Sequence, residues 1–245
     1  MPALCVLTGA GISAESGIPT FRGAQSGLWA KYDPTQLATP EGFRANPTLV
    51  WRWYQWRRSV VAEADPNAGH IAIADLEIAL CERAPTSDDA HRPFTLITQN
   101  VDGLHRKAGS SDPVEFHGNL WENHCDACER AAGRVALDIE EPPACPACGG
   151  LIRPSVVWFG ETISERAIQR ALQAVQSCSI CLVVGTSSLV YPAAALPQVA
   201  LEAGAEVIEV NPEATPLTPL VSRSIRGTAG EVLPGLVAEL IATFA

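Results

Sequence analysis

The chain predicts a parallel α/β sheet with helices on both faces and a smaller metal-binding lobe, and three observations carry that expectation. Short apolar runs at Leu4–Leu7, Phe94–Thr98, Ile180–Gly185 and Val207–Val210 are bounded by Gly, Asn or Thr, as strands buried on both faces are. Segments with apolar residues about every three or four positions separate them, at Ala68–Glu82, Ser164–Gln176, Ala193–Ala203 and Glu231–Phe244, and these read as covering helices. Two stretches break the alternation: Lys31–Asp65, rich in Trp and Arg, and Asn119–Arg153, which holds four cysteines. The expected division is a sheet lobe from 1–30, 66–118 and 154–245, and a small lobe from 31–65 (helical) and 119–153 (zinc-binding).

With 245 residues, 47% hydrophobic and 18% charged, the chain can bury a full core and is not disordered. No apolar run approaches the roughly 20 residues needed to cross a bilayer, and Ala3–Leu7 lacks the length and basic flank of a signal peptide. A cytoplasmic protein without membrane partners is expected. A formal net charge of -10 argues against general nucleic-acid binding, because affinity for phosphate comes from Lys and Arg that displace counterions.

The eight cysteines, in a chain without a secretory signal, should be reduced thiols or metal ligands. Cys125-x-x-Cys128 and, sixteen residues on, Cys145-x-x-Cys148 supply four thiolates that can close a tetrahedron around one zinc ion. Four cysteines leave no open position for water, so the metal is structural. His124 is a spare candidate ligand. Cys178-x-x-Cys181 has the spacing of a redox pair, but at the entry to an apolar strand it reads as two buried, inert thiols.

After the first strand comes Thr8-Gly9-Ala10-Gly11-Ile12-Ser13-Ala14. This is a G-x-G-x-x-A turn of the Rossmann-like kind, whose small residues let backbone approach a pyrophosphate at a helix start. Other blocks follow in order: Gly9 through Glu15 to Phe21-Arg22, then Thr98-Gln99-Asn100-Val101-Asp102, Glu115-Phe116-His117-Gly118, Val156-Val157-Trp158-Phe159-Gly160-Glu161, Gly185-Thr186-Ser187-Ser188 and Asn211-Pro212-Glu213. Together they closely resemble the signature blocks of the sirtuins, from Leu4 to the last helix, with the cysteine pairs where that family carries its zinc.

The resemblance implies an NAD-dependent protein-lysine deacylase whose partners are acylated lysine-containing proteins. Gly9, Ala10, Gly11 and Glu15 would line the diphosphate turn. Phe21 and Arg22 would close over the nicotinamide end, and Thr20, where many sirtuins carry Asp, would belong to the cofactor set with its local hydrogen bonding altered. Gln99, Asn100, Val101 and Asp102 would meet the ribose and carboxamide, with Asn100 and Asp102 sharing in catalysis. Gly185, Thr186 and Ser187 would approach from another strand end, Asn211 and Glu213 would reach the adenosine ribose, and Ala229 completes the cofactor set. Val157, Phe159, Gly160, Glu161 and Val190 would contact substrate. His117 would be the general base, suited to neutral pH by an imidazole pKa near 6.5. Nicotinamide and 2'-O-acyl-ADP-ribose are the implied products.

Asn46 as cap and Pro47 in the first turn open a helix containing Trp51-Arg52-Trp53-Tyr54-Gln55-Trp56-Arg57-Arg58, with an expected apolar stripe of Leu49, Trp53, Trp56 and Val60. Tyr54 and Arg57, three apart, are neighbours on one face and can share a carboxylate. A Tyr-x-x-Arg pair here resembles the class III sirtuins, which remove succinyl, malonyl and glutaryl groups, as do the flanking Ala38-Thr39-Pro40 and Asp65-Pro66-Asn67-Ala68-Gly69-His70. A plain deacetylase and an ADP-ribosyltransferase keep the same NAD site and remain open. A zinc-ribbon nucleic-acid binder fits the acidic composition poorly, and an NAD-dependent dehydrogenase leaves the zinc module unexplained.

Overall fold

The computed structural model describes residues 3–19, 32–83 and 92–243. In chain order these form β1 (Ala3–Thr8), a 3-10 turn at Ala10–Ser16, α1 (Pro34–Leu37), α2 (Pro40–Ala45), α3 (Pro47–Ala62), α4 (Ala68–Arg83), β2 (Phe94–Thr98), α5 (Leu104–Lys107) and β3 (Val114–Glu115). There follow β4 (Gly118–Cys125), β5 (Ile152–Val156), α6 (Glu165–Ser177), β6 (Cys178–Val184), a 3-10 turn at Ala193–Ala195, α7 (Leu196–Glu202), β7 (Glu206–Val210), β8 (Arg223–Ile225) and α8 (Ala229–Thr243).

Six strands pair in the order β3-β2-β1-β6-β7-β8, every pairing parallel. Alternate residues of β1 serve opposite faces. Leu4 and Val6 pack with Ile73, Leu76, Leu233 and Leu236 of α4 and α8, while Cys5 and Leu7 pack with Ala171, Val175, Leu196 and Ala200 of α6 and α7. From β1 the chain winds outward through β2 and β3, then returns to β6 on the other side and winds away through β7 and β8. The carboxyl ends of β1 and β6 therefore flank the switch point at which such sheets open a crevice.

A second sheet pairs β4 and β5 antiparallel, Gly118 opposite Val156 and Cys125 opposite Ile152. Gly118, with φ 81°, turns the chain from the six-stranded sheet into this one. A Cβ there would lie 2.1 Å from the Ser155 carbonyl oxygen.

Beyond β4 the four cysteine sulfurs lie within 4.8 Å of one another, with Cys125 to Cys148 at 3.5 Å and Cys128 to Cys145 at 3.9 Å. Zinc–sulfur bonds of about 2.3 Å in a tetrahedron require sulfurs about 3.8 Å apart, so the four thiolates fit one structural zinc. His124 stands outside this cluster, its Nδ1 2.9 Å from Ser155 Oγ.

Several local expectations need correction. The helix start expected after β1 is of the 3-10 kind, ended by left-handed Gly17, φ 80°. The 193–203 helix splits into a 3-10 turn and α7, because Pro197 in the first turn of α7 has no N–H and favours a new start. Strand β8, short and largely exposed, lacks the apolar pattern that would reveal it. Asn46 does cap α3, accepting from the Leu49 N–H at 3.0 Å, but the buried positions of α3 are Val50, Trp51, Trp53, Tyr54, Gln55, Arg58 and Val61. Leu49, Trp56 and Val60 are only half-buried, since α3 is enclosed on more than one side. Cys178 and Cys181 are both buried, beside Cys5, and proximity and burial push both thiols far up from their ordinary pKa.

Two outcomes follow. Gly118→Ala should cost about 2–4 kcal/mol in denaturant unfolding, from a left-handed backbone plus a backbone clash; a change within about 0.5 kcal/mol would contradict that reading. Elemental analysis of the purified chain should find one zinc, and Cys145→Ser should lower both the metal content and the unfolding midpoint.

Candidate active site

The carboxyl ends of β1, β2, β6 and β7 open into one cavity of about 1110 Å³, walled on the far side by α3 and by the segment after β5. Its floor begins where β1 and β6 end. Gly11 N–H donates to the Gly185 carbonyl at 2.7 Å, and a Cβ on Gly9 or Gly11 would come within 2.9 Å of Gly185 or Thr186 atoms. The glycines thus allow the two turns to meet, and Gly185 itself takes φ 60°. Gly9, Ala10 and Gly11 line the cavity opposite Gly185, Thr186 and Ser187.

Polar side chains at the strand ends hold one another. Gln99 Nε2 donates to Thr186 Oγ1 at 3.1 Å, and Asn211 Nδ2 donates to the Thr186 carbonyl at 2.9 Å. Asn100 Nδ2 donates to Ser13 Oγ at 3.0 Å, and Ser13 Oγ donates in turn to Asp102 Oδ2 at 2.8 Å. Asp102 also accepts from the Leu104 N–H. Burial raises its pKa against these bonds and the charge of Arg57. Ser13, which links Asn100 to Asp102, had not been singled out, although it stands inside the glycine block.

His70 Nε2 lies 3.4 Å from Ser13 Oγ, and Asn67 Nδ2 donates to the Ile12 carbonyl at 2.7 Å and to Ser16 Oγ at 3.0 Å. The Asp65–His70 stretch, which in sequence resembles the class III sirtuins, therefore braces the turn after β1. Burial lowers the His70 pKa to about 4, so its imidazole is neutral.

His117 lies at the start of the second sheet and lines the cavity. Its Nδ1 is 3.2 Å from the Gln99 carbonyl. A carbonyl only accepts, so Nδ1 carries the proton and Nε2 keeps its lone pair. Burial, partly offset by that hydrogen bond, lowers its pKa from 6.5.

Tyr54 and Arg57 face the same cavity from α3, with Trp53, Trp56 and Val60. Trp158 Nε1 donates to Tyr54 Oη at 2.8 Å. The Arg57 guanidinium carbon is 5.1 Å from the centre of the Trp53 ring and 5.7 Å from that of Tyr54. Burial pushes the Tyr54 pKa up and that of Arg57 down, while each opposes the other's shift and Asp102 supports the Arg57 charge.

Val101, Val157, Phe159, Gly160 and Val190 line the cavity. Val157 N–H donates to the His117 carbonyl and Phe159 N–H to the Ala38 carbonyl, both at 2.9 Å. Glu161 also lines it, but its carboxylate is held by two 2.8 Å hydrogen bonds from Arg153 and a third from the Trp158 N–H. Exposed Leu189 and Tyr191 also line the cavity; neither had been picked out, lying in an irregular loop.

On the outer side, Glu15 accepts from Thr228 Oγ1 and from the Gly230 N–H at 2.7 Å, holding the start of α8. Ala229, expected at the cofactor, is buried against Gly69 and does not line the cavity; Thr228 does. Glu213 lies on the exposed loop after β7. Below that loop, buried Glu209 accepts from the hydroxyls of Thr215, Thr218 and Ser224. Thr20, Phe21 and Arg22 lie outside the described residues.

Comparison with known proteins places this geometry. The model of the Sir2 family matches residues 9–192. The chain is 51% identical over 239 residues to "NAD-dependent protein deacylase 2" of Pyrobaculum aerophilum, covering 96% of this chain and 90% of that protein. It is 48% identical over 244 residues to "NAD-dependent protein deacylase" of Mycolicibacterium paratuberculosis, covering 97% of each. Among solved structures, a Sir2 homologue in complex with NAD superposes with a TM-score of 0.85 at 42% identity, covering 99% of this chain and 91% of that one. With the glycine turn, the strand-end amides and His117 gathered in one cleft, and with identity of this extent, the chain belongs to the Sir2 family.

Proposed function

We propose that the chain is an NAD-dependent protein-lysine deacylase that removes succinyl and malonyl groups in preference to acetyl. The deacylase activity follows from membership of the family and from relatives at about half identity over nearly the whole chain. The acidic-acyl preference rests on one observation: Tyr54 and Arg57 line the same cavity as His117, on a wall otherwise built of Trp53, Trp56 and Val60. In such surroundings a guanidinium gains most from a carboxylate that accepts two hydrogen bonds, and the neutral Tyr54 phenol adds a polar contact beside it. An acetyl group enters the same space without using either.

Bound NAD supplies the ribose carbon from which nicotinamide departs and the hydroxyl that accepts the acyl group. The chain's own residues orient and move protons. Gln99, Asn100 and Asp102 are held by Thr186 and Ser13, so they need little rearrangement to meet a ribose and a carboxamide. His117, with Nδ1 committed to the Gln99 carbonyl, takes a proton at Nε2. The peptide around the acyl-lysine would lie along Val157, Phe159, Gly160 and Val190, bringing acylated proteins as partners.

Mass spectrometry of one lysine peptide in succinyl and acetyl forms, with NAD, tests the reading. The intact chain should favour succinyl and release 2'-O-succinyl-ADP-ribose. Arg57→Met should cost the succinyl reaction about 2–5 kcal/mol, at least tens-fold, and spare the acetyl one. Equal or acetyl-favouring turnover by the intact chain would make it an ordinary deacetylase.

The pH profile follows from the His117 shift. A lowered pKa keeps the imidazole neutral, hence able to accept a proton, until pH falls through that lowered value. The acid limb of kcat/KM should therefore have its midpoint below the ordinary 6.5, and His117→Ala should lose about 10²- to 10⁴-fold. A limb centred above 6.5 would refute the role given to burial here.

A further inference from the structure

Helix α3 uses two separate stripes for two neighbours. Trp53, Tyr54, Arg57 and Val60 look into the cavity. Trp51, Gln55 and Arg58, at i, i+4 and i+7 and so on one line of the helix, look away from it into the cysteine-rich module. Trp51 Nε1 donates to the Ile139 carbonyl at 2.8 Å. Gln55 Nε2 donates to the carbonyls of Ala136 at 2.8 Å and Ile139 at 3.0 Å. Arg58, 1% exposed, donates to the Leu120 carbonyl, to Gln55 Oε1 and to Asn123 Oδ1 at 2.7 to 2.9 Å. Asn123 Nδ2 in turn donates to the Gly133 carbonyl.

The acceptors at Gly133, Ala136 and Ile139 all belong to the stretch between the two cysteine pairs. Its described residues form no strand or helix of their own. The stretch is anchored by the cysteine cluster at each end, and Trp51 is buried in one apolar cluster with Cys125, Cys145 and Ile152.

From this we infer that Trp51, Gln55 and Arg58 are positioning residues for acyl selectivity: through them the loop between the cysteine pairs sets the roll of α3, and hence where Tyr54 and Arg57 stand. The inference rests on the acidic-acyl reading of that pair. A helix roll of about 10° moves an atom about 6 Å from the axis by about 1 Å, and an error of that size in a hydrogen-bonding fork can cost ~10²-fold. Acetyl-lysine, which makes no use of the fork, tolerates the same roll. The metal-bearing module thus acts on specificity from the side of α3 that substrate never touches.

The test compares the intact chain, Gln55→Leu, Trp51→Phe and Arg57→Met on succinyl and acetyl forms of one peptide. Zinc content, the KM for NAD and circular dichroism are followed in parallel. Gln55→Leu removes two bonds to the loop and one of the three acceptors of Arg58. Trp51→Phe removes only the indole N–H and leaves a ring in the apolar cluster with Cys125 and Cys145, which keeps the test alive if Gln55→Leu folds poorly.

With zinc retained, both substitutions should lower kcat/KM for the succinyl peptide by about 3- to 30-fold, chiefly through its KM. The acetyl reaction and the KM for NAD should stay within about twofold. An unchanged succinyl-to-acetyl ratio in Trp51→Phe and Gln55→Leu, alongside a ratio that collapses in Arg57→Met, would overturn the positioning role alone. Equal loss with both peptides would reduce the contacts to general support of the fold. No succinyl advantage in the intact chain would remove the acidic-acyl reading and this inference with it.

Discussion

The meeting of two strand ends, backbone against backbone, is the constraint on which the rest depends. Gly11 reaches the Gly185 carbonyl at 2.7 Å, closer than any residue with a Cβ could allow. That contact joins the outward-winding half of the sheet to the returning half at the switch point, and it sets the separation of every group mounted on the two turns. Thr186 receives Gln99 from one side and Asn211 from the other. The floor of the cleft is thus three strand ends tied to a fourth.

Two kinds of wall stand on that floor. On the β2 side, Ser13 links Asn100 to Asp102 through two buried hydrogen bonds, an arrangement costly to leave half-made and stiff once complete. On the α3 side the wall is aromatic and aliphatic, with Tyr54 and Arg57 as its polar points. Burial acts on each titratable group by its charge type: it keeps the His117 imidazole and the Tyr54 phenol neutral, and it weakens the hold of Arg57 on its proton while Asp102 resists. The cleft therefore presents a neutral phenol and imidazole beside the Arg57 guanidinium, with the carboxylates of Glu15, Asp102, Glu161 and Glu213 also on its lining.

The sheet was legible because its strands are buried on both faces, so that Leu4–Leu7 and Val207–Val210 stand out as uninterrupted apolar runs. The cysteine spacing carried the metal site for a similar reason, since four thiolates at that interval have few other uses. What escaped lacks such a signature. Strand β8 is too short and exposed to show a pattern. Ser13 and His70 matter through partners far away in the chain, and small buried residues are silent about their neighbours. Ala229 and Ser13 show the two sides of this. The first, expected at the cofactor, is buried next to Thr228, which lines the cleft; the second was passed over and sits among the polar groups. Helix α3 was misread in one respect only: a single apolar stripe was expected where the helix is enclosed by the cavity on one side and by the cysteine module on another.

Buried Glu209, ringed by the hydroxyls of Thr215, Thr218 and Ser224, bears on how the cleft responds to its medium. The loop that carries Asn211 and Glu213 is fastened by hydroxyls pointing at an enclosed carboxylate, whereas outer-surface pairs such as Arg44 with Glu41 and Arg223 with Glu239 stand in solvent. Dissolved ions screen the latter, over about 8 Å at physiological salt, and act much less on the former. This edge of the cleft therefore keeps its shape as ionic strength rises, and a salt effect on turnover reports the charges that a substrate meets rather than a loosening of the loop beneath them.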